Sequence, residues 1–377
     1  MHRFLIREGV PMKRRALLGA LPLLAMPFLA RAQAPIHITD VQGRQITLPR
    51  PARRIVLTQA RHVLAMALLH RDPVSLVSGW GDDLRRMNPP DYAVVRSRFP
   101  RADSIPIVMR GQAGGISLEK LIESQPDVVV AGQAVMQDGL AERLTEMGIP
   151  VVIIDFFIDP MKNTRQSMAV LGKLMGLEDR AAAFDAFYTS HLAGITDRLS
   201  GLGADRPKVF IHAHAGGTAC CSSPGQGAYN SMIRFSGGHN IGADLLLGPT
   251  GEVSVENVIA QNPSVYVATG GPFGGRGGIP LGPGVELEQA QRELAAVIKR
   301  SQLDVLPAVR AGRAHTIWHG FNDTPAHVIM LEALARWFHP ERCGDLDPAA
   351  TRAALNEQFL SIPMEGTHWA DLPSGML

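Results

Sequence analysis

An internal repeat narrows the fold more than any other feature. The stretch Ser117-Leu118-Glu119-Lys120-Leu121-Ile122, followed by Pro126-Asp127-Val128-Val129-Val130-Ala131, returns 137 residues later as Ser254-Val255-Glu256-Asn257-Val258-Ile259 and Pro263-Ser264-Val265-Tyr266-Val267-Ala268. Each copy opens on a serine suited to capping a helix N-terminus. A short helix follows, a proline stops it, and an apolar run rich in valine reads as a buried strand. The first copy stands among further apolar runs at 54–57, 74–77, 105–108 and 150–154; the second stands with runs at 208–211 and 314–317. Short apolar strands alternating with helical stretches predict, in each half, a parallel sheet covered by helices.

Between the halves, residues 180–199 carry Phe184, Phe187, Tyr188, Ile195 and Leu199 on one helical stripe without proline. A helix of that length spans roughly 30 Å at ~1.5 Å per residue and acts as a stiff spine rather than a tether. Near the end, Thr324 is placed to cap and Pro325 to open a helix carrying Val328, Leu331, Leu334, Ala335 and Phe338, which ends at Pro340. The glycine-rich stretch 270–284 is the one long loop signal. The expected organisation is a signal peptide at 1–34, an α/β lobe at 35–158, a helical linker with the spine at 159–204, and a second α/β lobe with terminal helices at 205–377.

The start of the chain carries an export address. Lys13, Arg14 and Arg15 precede an uncharged stretch from Ala16 to Ala30, and small residues up to Ala34 offer cleavage sites. That stretch, broken by Pro22 and Pro27, is shorter than the ~20 residues of a membrane span. Arg14-Arg15 also fits the twin-arginine route, without its usual preceding polar residue. No cysteine stands at the cleavage region, so the mature protein is expected to diffuse in the periplasm as a monomer. In all, 377 residues, 46% of them hydrophobic, suffice for two cores. Lys+Arg 37 against Asp+Glu 35 leaves no basic stripe for nucleic acid, and small ligands are the better expectation. Three cysteines make no disulfide framework: Cys220 and Cys221 are adjacent and Cys343 is distant. Cys220 and Cys221 are read as small buried residues first and as soft metal ligands second.

Several stretches together resemble the bacterial periplasmic binding proteins for iron complexes and cobalamin, whose two lobes are joined by one long helix. These are Ile38-Thr39-Asp40 with Gly43-Arg44, Pro51-Ala52-Arg53-Arg54-Ile55-Val56, both repeat copies, Phe235-Ser236-Gly237-Gly238-His239-Asn240-Ile241, and the Thr324-Pro325 helix. The resemblance covers nearly the whole mature chain. It implies an α/β fold of two lobes, each a mainly parallel sheet flanked by helices, joined by a spine helix, with ligand in the cleft between them. It also implies the binding component of an ABC importer, docking on a permease dimer through one acid per lobe. Glu119 and Glu256 hold the matching repeat positions, and the macrodipole alone does not explain the same acid in both copies.

In α/β sheets ligands bind beyond the carboxyl ends of strands, so the loops after each apolar run are the place to search. They offer Arg61, His62, Trp80, Gln133 and Phe156 from the first half, and His214, Tyr229, Arg276, Trp318, His319 and Asn322 from the second. For a ferric siderophore, whose chelator already fills the iron's coordination sphere, Arg61 and Arg276 would pair with chelate oxygens and Trp80, Trp318 and Tyr229 would form walls. No intrinsic cofactor is expected; the cargo is an iron(III) chelate. Two rivals stay open. His212-Ala213-His214 ends a predicted strand, where alternate residues face one way, so His212 and His214 can converge on a metal, and His62 or His319 can serve haem or a corrinoid as axial ligand. The enzyme reading is the weakest, because the chain lacks GxxxxGK[ST], a GxGxxG after a strand and GxSxG.

Overall fold

The computed structural model describes residues 34–111, 115–133, 139–272 and 276–377. The export signal and its cleavage region, but for Ala34, lie outside them. Among the described residues of the folded body, Pro35–Leu377, the strands are β1 Ile36–Thr39, β2 Gln45–Leu48, β3 Ile55–Leu57, β4 Val77–Gly81, β5 Ile107–Met109, β6 Val128–Gly132, β7 Val151–Ile154, β8 Lys208–His212, β9 Ser222–Pro224, β10 His239–Asn240, β11 Thr250–Glu252, β12 Val265–Gly270, β13 Ala314–Trp318 and β14 Trp369–Asp371.

Two five-stranded sheets dominate. The first has the order β5-β4-β3-β6-β7 and is wholly parallel. The second runs β10-β8-β12-β13-β14, parallel except for β14 at its edge. Every residue of β3, β6, β7, β12 and β13 is buried, as expected of strands covered by helices on both faces. In each repeat the cap forms as read. Ser117 accepts from Lys120 N at 3.4 Å and Ser254 from Asn257 N at 3.2 Å, while Leu121 and Val258 turn fully inward.

Two readings of the sequence need correction. The apolar run at 74–77 is a 3-10 turn, Pro73–Leu76, and the strand begins at Val77. The spine read over 180–199 is the helix Glu178–Arg198. A second helix, Pro160–Met175, precedes it across Gly176 at φ +67; a Cβ on Gly172 would sit 2.5 Å from Ala181 Cβ, so their close approach requires glycine. The late helix begins at His327, two residues after Pro325.

The two helices join the sheets rigidly. Pro160–Met175 packs against β1 and β7, and Glu178–Arg198 against His327–Phe338. Buried Tyr188 Oη meets His327 Nε2 at 2.6 Å, and His191 Nδ1 meets buried Glu332 at 2.6 Å. The chain also returns to the first sheet near its end: Ser361 N donates to the Ala67 carbonyl at 3.0 Å and its hydroxyl to the His70 carbonyl at 2.8 Å. The motif around Asp40 is a staple. Buried Asp40 closes the β1-β2 hairpin, binds Arg44 through Nε and Nη2, and accepts from Ile153 N in β7 at 3.1 Å. Within the glycine-rich stretch, the described residues 276–284 are pinned by fully buried Ile279 and nearly buried Leu281.

Because the caps act locally, Ser117→Ala and Ser254→Ala should each lower stability by about 1 kcal/mol and add within about 0.5 kcal/mol when combined. Urea unfolding of the three variants measures this. A double variant indistinguishable from wild type would show that the caps do not hold the repeat helices.

Candidate functional site

In both sheets the strand order reverses once, between β3 and β6 in the first and between β8 and β12 in the second. Crevices open at such switch points, beyond the carboxyl ends of the strands. The loops there carry Gln59, Arg61, His62 and Gln133 from one lobe, and His214 and Arg276 from the other. Five of the expected ligand residues thus take their places from topology alone.

The lobes meet at a charged junction. Arg61 Nε forms an ion pair with Asp323, which follows β13 in the other lobe, and lies 3.8 Å from Asp83. Asp83 is itself tied to the loop, accepting from Ala60 N at 2.6 Å. Burial raises the Asp323 pKa to about 6, against the pull of Arg61, and Asp83 and Asp155 push it further. Burial raises Asp83 in the same direction. Arg61 is therefore committed to carboxylates and is not the chelate-pairing group expected. His62 beside it is pushed down to about 3 by burial and by Arg61. Its ring meets Phe156 edge-on, at 5.9 Å between centroids. Gly132 makes room for this cluster: a Cβ there would lie 1.8 Å from Gln59 Oε1.

The second lobe presents an imidazole pair. His214, held at φ +48, lies 3.7 Å from His319 between ring centroids. His319 Nδ1 meets Thr269 Oγ1 at 2.8 Å, and the Tyr229 hydroxyl donates to the His319 carbonyl at 3.4 Å. Burial and then Arg276 lower His214 to about 4; burial and then His214 hold His319 well below its ordinary value. Both rings are neutral near pH 7. Arg276 is exposed and near enough to act on His214.

Other expected residues are placed differently. Trp80 lies within β4, not after it, and is 2% exposed against Tyr92, so it packs the core instead of walling a cleft. Trp318 ends β13, wedged against Phe321 and His368. Phe156, Tyr229 and Asn322 are buried, and Gln133 is half-buried. His212 and His214 do not converge, because β8 ends at His212 and the left-handed turn at His214 breaks the alternation. His212 instead faces Tyr266 Oη at 3.0 Å. Sequence reading missed Asp83, Asp155 and Asp323, although an acid following Asn322 after a strand was a visible signal. It also missed a disulfide between Cys220 and Cys221, which corrects their reading as simple buried residues. A groove of about 790 Å³ is lined by Ile158, Asp159, Arg206, Asn230 and Arg234 among others. Ile158 and Asp159 follow the carboxyl end of β7, Arg206 precedes β8, and Asn230 and Arg234 lie on the helix Ala228–Phe235.

The sequence matches the family model described as periplasmic binding protein over residues 67–317. The chain belongs to the periplasmic binding protein family. Its fold is similar to that of the TroA-like periplasmic binding protein FepB from Veillonella parvula, with a TM-score of 0.83 at 23% identity, covering 90% of this chain and 100% of that one. It is also similar to the molybdate periplasmic binding protein MolA of Haemophilus influenzae, with a TM-score of 0.65 at 16% identity over 88% and 99% of the chains. A third likeness is to an ABC-type Fe3+-hydroxamate transport system protein from Saccharomonospora viridis, with a TM-score of 0.54 at 21% identity over 81% and 99%. As a periplasmic binding protein of the ABC transporter family, the chain is a solute carrier outside the cytoplasm that works with a membrane permease. Among the described residues no helix is long and apolar enough to cross a membrane.

The junction of this periplasmic binding protein titrates in a defined direction. A carboxyl with a raised folded-state pKa holds a proton that the unfolded chain has already released, so its contribution to stability falls as pH rises from 3.8 to about 6. Asp323→Asn cannot titrate. Relative to this variant, wild type should lose stability from pH 4 to pH 7, as measured by urea unfolding at fixed pH. Parallel pH profiles would contradict the buried placement of Asp323.

Proposed function

We propose that this binding protein captures a ferric siderophore at the facing carboxyl edges of its two sheets and delivers it to a permease dimer. The observation that supports this reading is the placing of an exposed Arg276 beside the neutral, closely apposed rings of His214 and His319. A ferric siderophore brings a filled coordination sphere with anionic or carbonyl oxygens on its surface. It needs a cation and neutral hydrogen-bonding rings, not carboxylates. The acids nearby, Asp83 and Asp323, are turned to Arg61.

The same neutral imidazoles suit a second ligand class. An unprotonated His214 or His319 can take an axial position on haem or a corrinoid. The two readings separate on titration with a ferric hydroxamate, a ferric catecholate, haem and cobalamin, followed by tryptophan fluorescence and visible absorption. The siderophore reading expects quenching with a ferric siderophore and a loss of affinity of about tenfold, ~1.4 kcal/mol, in Arg276→Ala. Saturable binding of haem or cobalamin alone, with a shifted absorption band, would replace it by the second.

Delivery rests on the repeat. Glu119 and Glu256 lie exposed in the first turns of Leu118–Glu123 and Val255–Gln261. Three residues after each stands an exposed isoleucine, Ile122 at 46% and Ile259 at 41%. An acid and an apolar side chain on one helix face, repeated once per lobe, form two like contacts for a permease of two subunits. The double variant Glu119→Ala/Glu256→Ala should lower uptake in cells at least tenfold while leaving ligand affinity within about twofold, since rim charges act on docking rather than capture. Wild-type uptake by the double variant would remove the docking role.

A further inference from the structure

The loop after β8 holds a cluster that chelate capture does not use. His212 Nδ1 or Nε2, Cys220 Sγ and Cys221 Sγ all lie within 4.8 Å of one another. The His212 ring is fully buried. Its Nδ1 meets the Tyr266 hydroxyl at 3.0 Å, while its Nε2 is buried with no hydrogen-bond partner. A buried imidazole nitrogen left without a partner costs stability unless something occupies it. The arrangement, with one ring nitrogen oriented by a hydroxyl and the other without a partner in a cluster with two sulfurs, is that of a histidine prepared as a ligand. Backbone pairing holds the cysteines in place: Cys221 N donates to the Val253 carbonyl at 3.2 Å, Val253 N to the Cys221 carbonyl at 2.9 Å, and Ala213 N to the Ser222 carbonyl at 2.8 Å. Cys221 is buried and Cys220 half-buried, so the cluster has one side open to an incoming ion.

We propose that His212 Nε2 with the thiolates of Cys220 and Cys221 forms a binding site for a single thiophilic d10 cation, Zn(II) or Cu(I), open only when the Cys220-Cys221 disulfide is reduced. Reduction frees the two sulfurs to move apart, and with the imidazole nitrogen within 4.8 Å they can then reach one ion at metal-sulfur distances of about 2.3 Å and a metal-nitrogen distance of about 2.0 Å. Three protein ligands leave a fourth position for water or another donor. The site is separate from His214 and His319 and does not depend on which solute the cleft carries. Loading is balanced in two steps. An external dithiol reductant gives up two electrons and two protons to the disulfide, becoming a disulfide itself and leaving two thiols. The cation then displaces both thiol protons, which go to solvent, and binds the two thiolates and the neutral imidazole. Oxidation closes the site by joining its two sulfurs.

The test uses the mature protein, oxidised or reduced under argon with a dithiol and freed of it by gel filtration. Each form is titrated with Zn(II) by calorimetry, with Cu(I) against a colorimetric chelator, and with Co(II) as a spectroscopic probe. The reduced protein is expected to bind one equivalent of Zn(II) or Cu(I) at least a hundredfold more tightly than the oxidised protein. Its Co(II) form should show a sulfur-to-cobalt charge-transfer band. His212→Gln should weaken binding at least tenfold, and Cys220→Ser/Cys221→Ser should abolish the band; Cys343→Ser, which removes the remote buried thiol, should change neither. X-ray absorption of the loaded wild type, which needs no folded variant, should show two sulfurs and at least one imidazole nitrogen. Equal affinity in the two redox forms, or a loaded wild type with no imidazole nitrogen, overturns the assignment.

Discussion

The two lobes meet through one guanidinium. Arg61 belongs to the loop after β3, and its partners Asp83 and Asp323 come from the same lobe and the opposite one. The position of the cleft follows from this contact. It fixes the carboxyl edge of the first sheet against that of the second, at the switch points where the topology opens a crevice. A half-buried ion pair is a poor source of net stability, because desolvation offsets most of the attraction. Its value here is registration. A guanidinium and a carboxylate tolerate little sliding without leaving buried charge uncompensated, so the lobes have a preferred arrangement. The paired helices Pro160–Met175 and Glu178–Arg198 and the return of Ser361 to the first lobe add further ties. Movement between lobes is then limited to what these ties allow.

Around that junction the chain separates two kinds of polar group. Acids gather on the Arg61 side, where each has a cation or backbone donors. Neutral imidazoles gather on the other, where burial and Arg276 lower His214, and burial and His214 lower His319. A solute entering between them meets one exposed cation and two uncharged rings. The arrangement suits a ligand that carries its own charge compensation, as a metal chelate does, better than a free ion needing full desolvation.

Much of the fold was legible because its signals are local. The caps at Ser117 and Ser254, the prolines ending each repeat helix and the apolar runs of β6 and β12 act over a few residues, and each element forms where they point. The acids of the repeat, exposed in the first turn of each helix, were readable for the same reason. The site was less legible because its partners lie far apart in sequence. No spacing rule links Arg61 to Asp323, so Arg61 read as a spare cation. The alternation that suggested His212 and His214 would face one way holds only within a strand, and β8 stops at His212. Trp80 was read one strand boundary too late, which moved a core residue into a loop. The spine was legible because its stripe from Phe184 onward is helical on its own, and the helix Glu178–Arg198 forms there.

On the proposed function, a solute binds between the lobes at the carboxyl edges of both sheets. Hydrogen exchange measured by mass spectrometry, with and without a saturating ferric siderophore, tests it most directly. The account predicts that amides at 59–62 and 155–159 in the first lobe and at 213–217, 276–279 and 319–323 in the second slow together on binding. Protection confined to one lobe, or to the groove along 226–235 with these loops unchanged, would contradict it.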